Sequence, residues 1–337
     1  MTLTPPDLHV PALEAAIAPG LDAVEALLHR SVAGSRDLID DLTAHLAQAG
    51  GKRIRPLLTL VCAQLGSPEL ALSDQVIAAA TAMELTHIAS LYHDDVMDSA
   101  PTRRGVPSVQ HLWGNNRAIL AGDILFARAS RLIATLGSES VAHHSRTFER
   151  LCLGQLNETF GPRPGDDPVD FYVQVLADKT GSLLSAAAHF GAYHAHAPQE
   201  YAQVVADFGE KVGVAFQIAD DVLDLVSSGE TSGKTPGTDL REGVDTLPVL
   251  LLRRHASEGT LDAEGRAILS DLEGDLDSDE ALASVVERLR THGVVAETRG
   301  MAREWASAAV ESLDPLPEGE PRTALISFAR LMVERVA

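Results

Sequence analysis

The run Glu84–Asp98, ELTHIASLYHDDVMD, closes on Asp94, Asp95 and Asp98; a second run, Phe216–Asp224, FQIADDVLD, closes on Asp220, Asp221 and Asp224. Both carry Asp-Asp-x-x-Asp inside apolar helical sequence. In an α-helix the first and fifth residues of such a motif stack on one face, with the second close beside them. Three crowded carboxylates repel and call for a cation. Oxygen-only ligands suit Mg²⁺, which keeps several waters and shares its coordination with substrate phosphates. Acidic runs are often solvated surface, but a solvated face is not framed by Leu, Ile, Val and Phe on both sides. Two such faces opposed across a bundle would hold a diphosphate bridged by metal ions.

Working outward, the 337 residues are dominated by alanine, leucine and valine, and alternating β-type segments are scarce. The expectation is one large all-α domain spanning residues 1–337. No stretch reaches the roughly 18 uncharged apolar residues of a membrane span. The start, MTLTPPDLHV, lacks the basic flank and apolar core of a secretory signal. Cys62 and Cys152 sit among apolar neighbours and are expected as buried thiols in a reducing cytosol. The net charge of −21 argues against nucleic acid as a partner. Positive charge must then be concentrated locally. Only four of the 27 basic residues are lysines, and three of these fall in Gly-flanked motifs: Lys52 in GGKRIRP, Lys179 in DKTGS and Lys234 in SGKTPG. A compact ammonium there suits phosphate.

Periodicity and caps predict helices over Pro11–Arg30, with a break at Pro19-Gly20, then Asp37–Ala49, a helix following Pro56, and one from Ser73 to Asp98. Pro101 forbids continuation, and TRRGVP (102–107) reads as a basic loop. Further helices are expected over 115–136, 138–160, 168–195 and 198–226. The polar, Gly-rich stretch 227–245 is long enough to suggest a functional loop, often a lid. Shorter amphipathic helices follow over 246–256, 262–273, 278–292, 295–312 and 320–336. No internal repeat or linker is visible.

Seven blocks stand in order: GGKRIRP (50–56), ELTHIASLYHDDVMD (84–98), TRRG (102–105), AGDILFARA (121–129), DKTGSL (178–183), FQIADDVLD (216–224) and GKTPGTDLREGVDTLP (233–248). The set resembles the trans-isoprenyl diphosphate synthases, the head-to-tail polyprenyl synthetases, over about residues 45 to 250. The resemblance implies an isoprenoid-synthase fold: a single-domain bundle of long antiparallel helices around a deep central cavity, the two aspartate motifs facing each other at its mouth. It implies ionisation of an allylic diphosphate, attack on the carbocation by the double bond of isopentenyl diphosphate, and loss of a proton. It also implies a homodimer in the cytoplasm.

Cleaving a C–O bond to release diphosphate requires neutralising the charge that develops, which metal ions and fixed cations do well in a water-poor site. Asp94, Asp98 and Asp220 are read as direct Mg²⁺ ligands, with Asp95, Asp221 and Asp224 as ligands or water holders, and three ions per site. By similarity, Arg103 grips the allylic diphosphate with Lys179 and Lys234 near its leaving oxygens. Lys52, Arg55, His87 and Arg104 would hold the diphosphate of isopentenyl diphosphate. Thr180 and Gln217 match positions lining the allylic site. His87 alone would read as an ordinary core histidine; its place seven residues before Asp94, on the same face, lifts it. The chain departs from the family pattern at Thr235-Pro236, where proline commonly follows the lysine directly, and at Val244, where lysine is common.

In this family the growing tail runs beside the helix of the first motif. Ser90, Thr86 and Ala82, one to three turns above Asp94, are small, as is Ala89. An isoprene unit is about one helical turn (~5 Å) long, so the expected product exceeds C20, of the quinone side-chain type. Met83 or another helix could still form a floor. The rivals are a C15 or C20 synthase, a class I terpene cyclase and a non-catalytic synthase subunit. The cyclase would not need GGKRIRP, and the inert subunit would have lost aspartates or lysines. A hydrophobic product suggests release at a bilayer. The allylic primer is left open.

Overall fold

The computed structural model describes residues 6–33, 37–226, 237–241, 243–274, 276 and 278–334. Among these the chain is helical apart from one two-stranded hairpin. Helices α1 (Pro11–Val32), α2 (Asp37–Gln48), α3 (Ile54–Ala63) and α4 (Asp74–Met97) lead to the hairpin β1 (Thr102–Arg103) and β2 (Val106–Pro107). Next come α5 (Val109–Trp113), α6 (Asn115–Ala134), α7 (Ser138–Phe160) and α8 (Pro168–Leu176). A π-helical turn, Ala177–Gly181, joins α8 to α9 (Ser182–His194), and α10 (Gln199–Val226) follows. The remainder is α11 (Thr238–Arg241), α12 (Leu247–Glu258), α13 (Ala263–Leu272), α14 (Asp279–Thr291), α15 (Gly293–Ser312) and α16 (Glu320–Glu334).

The chain divides into two compact units. The first comprises Met1–Leu151, Ser182–Glu210 and Val310–Phe328. At its centre lies α4, which starts where the Ser73 side chain accepts the Val76 N–H. From Val76 to Ser90 every residue except His87 is buried, as expected of a helix apolar nearly all round. It packs on α1, α3, α6 and α9. Leu85, Ile88, Ala89 and Tyr92 join Ala118, Ala121 and Leu125 of α6 in one cluster. Ala82 and Met83 join Ile133, Ala186, Ala187 and Phe190 in another. The second unit comprises Cys152–Gly181, Lys211–Ala309 and Ala329–Ala337. Its core gathers Val214, Ile218, Val222 and Leu225 of α10 with Leu247, Leu251 and Leu252 of α12 and Val285 and Leu289 of α14.

Several expectations need correction. The break at Pro19-Gly20 does not occur: α1 runs through both residues. A Cβ on Gly20 would lie 2.9 Å from a Leu60 methyl, so this glycine serves a close helix contact. The TRRGVP loop is a hairpin, Thr102 facing Pro107 and Arg103 facing Val106. Arg104 and Gly105 turn it at φ 53° and 76°, the positive pair that a two-residue hairpin requires. The helix expected over 168–195 is interrupted by the π turn. Both cysteines are free thiols, as expected, but only Cys62 is buried; Cys152 lies on an exposed stripe of α7. The stretch 227–236, with Lys234 and Thr235-Pro236, lies outside the described residues.

Within the first unit, α7 and α9 bring histidines together. His143 stacks on His189 with ring centroids 4.3 Å apart, His144 bonds the Thr86 hydroxyl at 3.0 Å, and His194 bonds Ser140 at 3.2 Å. Burial, followed by the neighbouring His189 and other basic groups, pushes His143 and His194 down to about 4 from the ordinary 6.5. These rings are neutral when folded, whereas the unfolded chain takes up protons below about pH 6.5. Their contribution is therefore present above that pH and lost as pH falls toward 4. The thermal midpoint is expected to fall steadily from pH 6.5 to 4 in calorimetry, with a flatter slope in His194→Gln.

Candidate active site

In the first unit, Asp94 is half-buried and Asp98 exposed, one turn apart at the C-terminal end of α4. There the helix dipole adds negative potential and favours a cation. Asp95, about 100° round the helix, points elsewhere. It is 1% exposed and accepts a 2.6 Å hydrogen bond from Arg103 Nε. Its backbone carbonyl also receives the Ala100 N–H. The middle aspartate thus fixes the hairpin that carries Arg103 and Arg104.

The GGKRIRP block separates into roles. Arg53 adopts a left-handed φ of 48° at the start of α3 and is buried. It makes a fork onto Glu25 at 2.9 and 3.0 Å, contacts Glu84 at 3.1 Å and donates to Ala47 O at 2.9 Å. It is a structural cation. Arg104 donates to the carbonyls of Leu46 and Gly50 and lies 3.7 Å from Glu84. Gly51 is required between them. Its φ is +149°, and a Cβ would sit 3.1 Å from both the Arg104 Cζ and the Arg53 guanidinium.

Arg55 Nε is buried with no hydrogen-bond partner among the described residues. Burial lowers Arg55 to about 10, opposed by Glu84 and reinforced by Arg104. Half-buried His87 is driven well below its ordinary range by burial and then by Arg55, Arg104, Arg103 and Arg53. A neutral imidazole amid four guanidiniums, one with an unused buried N–H, suits an anion with several acceptor oxygens. Lys52 is exposed at the same block.

In the second unit, Asp220 and Asp224 are half-buried one turn apart near the C-terminal end of α10, and Asp221 is 6% exposed. Asp221 Oδ2 accepts the Tyr172 hydroxyl at 2.9 Å and the Leu247 N–H at 3.3 Å. The Asp224 carbonyl receives the Gly237 N–H at 3.1 Å. Gln217 is half-buried one turn before Asp220 and Asp221. Lys179 and Thr180 lie in the π turn, both half-buried, and Lys179 pairs with Glu158 of α7. π segments recur at functional sites because the added residue re-aims side chains. Val244, 40% exposed, leaves the family's common lysine position on the surface.

Glu84 and Tyr172 were not anticipated. A lone glutamate inside the apolar run of α4 was a usable signal, since a buried charge needs a partner; Tyr172 offered none. Among the described residues, no group of three or more His, Cys, Asp or Glu side chains is placed to hold a metal ion by itself. In each unit, taken by itself, the aspartate oxygens at the helix C-terminus are the donor type that suits Mg²⁺ shared with substrate.

Comparison with known proteins agrees with this chemistry. The Polyprenyl synthetase family model matches residues 36–287. Nonaprenyl diphosphate synthase of Mycobacterium tuberculosis is 41% identical over 330 residues, covering 98% of this chain and 96% of that protein. The structure of geranylgeranyl pyrophosphate synthase from Corynebacterium glutamicum, complexed with calcium and isoprenyl diphosphate, superposes with a TM-score of 0.84 at 42% identity, covering 97% of this chain and 98% of that one. A decaprenyl diphosphate synthase from Rhodobacter capsulatus gives 0.83 at 32% identity, covering 97% and 99%. With its acidic helix ends, its arginine-ringed histidine and this end-to-end likeness, the chain belongs to the polyprenyl synthetase family.

Proposed function

We propose that this prenyltransferase condenses isopentenyl diphosphate repeatedly onto an allylic diphosphate to give a product longer than C20. Asp94, Asp98 and Asp220 serve as direct Mg²⁺ ligands, with Asp224 as ligand or water holder and three ions per site. When bound, Mg²⁺ supplies positive charge to the departing diphosphate. Arg103, Lys179 and Lys234 hold the allylic diphosphate, with Thr180 and Gln217 beside it. Lys52, Arg55, His87 and Arg104 hold the diphosphate of isopentenyl diphosphate. Arg55 supports this most directly, because its buried Nε gains a partner when an anion binds. Allylic C–O cleavage leaves a carbocation, the isopentenyl double bond attacks it, and a proton departs.

The observation carrying the product length is the row of small buried residues above Asp94: Ser90, Ala89, Thr86 and Ala82. A specific observation favours a shorter product. Met83 is packed with Ile133 and Phe190, and it stands eleven residues above Asp94, roughly 16 Å along the helix. That is room for about three isoprene units before a floor. Labelled isopentenyl diphosphate with Mg²⁺ and C5, C10, C15 or C20 primers, read by chromatography, decides between them and also exposes a cyclase or an inert subunit. Ala89→Phe is expected to shorten the product while costing about 1–3 kcal/mol by overpacking against α6. Met83→Ala lengthens the product only if Met83 is the floor. An unchanged distribution in both variants would count against a tail running along α4.

We further propose one functional domain, a cytoplasmic location and a homodimer. Exposed Leu153, Leu156 and Phe160 on successive turns of α7, the last 80% exposed, suit a second copy. Among the described residues no helix is long and apolar enough to cross a membrane. Release of a polyprenyl product then calls for transient contact with a bilayer.

A further inference from the structure

We propose that Asp221 and Tyr172 form a positioning pair that fastens three segments of the second unit together, and that Asp221 is not itself a metal ligand. The inference rests on the reading of Asp220 and Asp224 as the metal-holding carboxylates of that motif. The geometry begins with the start of α12. A helix N-terminus leaves N–H groups without intrahelical acceptors. Here Thr246 provides no side-chain cap, Pro248 has no N–H, and the Val249 and Leu250 N–H groups reach the Thr246 carbonyl at 3.0 and 3.1 Å. The fully buried Leu247 N–H remains, and a buried unpaired N–H is costly. Asp221 accepts it from α10, placing a carboxylate at the positive end of α12.

The same Asp221 Oδ2 accepts the phenol of Tyr172 on α8. Both lone pairs of that oxygen are therefore engaged. Tyr172 stands seven residues before Lys179, and α8 runs directly into the π turn bearing Lys179 and Thr180. Asp221 consequently sets where the π turn and the start of α12 lie relative to Asp220 and Asp224 on its own helix. The first unit repeats the arrangement, with Asp95 holding Arg103. In each motif the middle aspartate anchors a neighbouring segment.

The test compares Tyr172→Phe, Asp221→Asn and the double variant with the parent protein. Tyr172→Phe removes one hydroxyl and keeps the ring among its apolar neighbours, so it is the variant least prone to misfold. Two readouts are taken: steady-state kcat and KM for each substrate, and the number of Mn²⁺ ions bound with inorganic diphosphate by electron paramagnetic resonance. The expected result is the parent's ion number in both single variants and a fall in kcat of about tenfold to hundredfold in each. The double variant should be no worse than the more impaired single, because the two act as one unit. Loss of an ion in either single variant overturns the proposal, as does parental kcat in Tyr172→Phe or additive losses. A parent inactive with every primer would instead sink the catalytic reading, leaving the Mn²⁺ count to judge Asp221.

Discussion

Asp220→Ala is expected to lower kcat/KM by about three orders of magnitude, and Asp94→Ala similarly. Each removes a half-buried carboxylate from the negative end of its helix, where the proposed Mg²⁺ would lose a direct ligand. Asp224 and Asp98 remain one turn away, so raising Mg²⁺ recovers part of the binding but little of the turnover. Circular dichroism should be unchanged, because both side chains lie on half-exposed helix ends. The measurement is incorporation of labelled isopentenyl diphosphate across a Mg²⁺ series. Full turnover in Asp94→Ala/Asp220→Ala would remove the basis of the metal reading in both units.

Glu84→Ala carries the second large effect, on stability. Glu84 is 2% exposed and faces the Arg53 guanidinium at 3.1 Å and that of Arg104 at 3.7 Å. Taking one partner from a buried ion pair costs about 3–5 kcal/mol, because a desolvated charge is left uncompensated. Arg53 keeps Glu25 and the carbonyls of Ala47 and Gly50, which argues for the lower end. A drop in thermal midpoint of roughly 4–5 °C follows for a chain of 337 residues, whose unfolding entropy is about 2.1 cal/mol/K per residue. KM for isopentenyl diphosphate should rise as well, since Arg55 and Arg104 are steadied by the same carboxylate. Glu84→Gln, which keeps shape and hydrogen bonding, should retain more of the stability. Equal melting of all three proteins would show that Glu25 alone balances Arg53.

Much of this was legible from residue types. The apolar run from Val76, its Ser73 cap and Pro101 beyond define α4 almost to the residue, because cap and breaker chemistry is local. Both Asp-Asp-x-x-Asp motifs announced their helix ends. The hydrogen bonds of each middle aspartate did not show: Asp95 and Asp221 match their neighbours in type, and only packing brings Arg103 to one and Tyr172 and the Leu247 N–H to the other. Arg53, Arg55 and Arg104 likewise look interchangeable in sequence, yet packing ties Arg53 to Glu25 and Glu84, sets Arg104 Nη1 on the carbonyls of Leu46 and Gly50, and leaves Arg55 Nε without a partner among the described residues. The unbroken α1 was missed because a proline-glycine pair is a local breaker that tertiary contact with Leu60 overrides. The exposure of Cys152 was missed because apolar sequence neighbours on a helix can face a different direction.

The single extra residue wound into the helix at Ala177–Gly181 has a consequence for protein engineering. Deleting one residue there would restore the regular α-helical hydrogen-bond ladder through the turn. Taken from between Leu176 and Lys179, it would also swing Lys179 through about 100° about the axis of α8. Selection for heat resistance alone would favour that smoother version and lose the present aim of Lys179 with it.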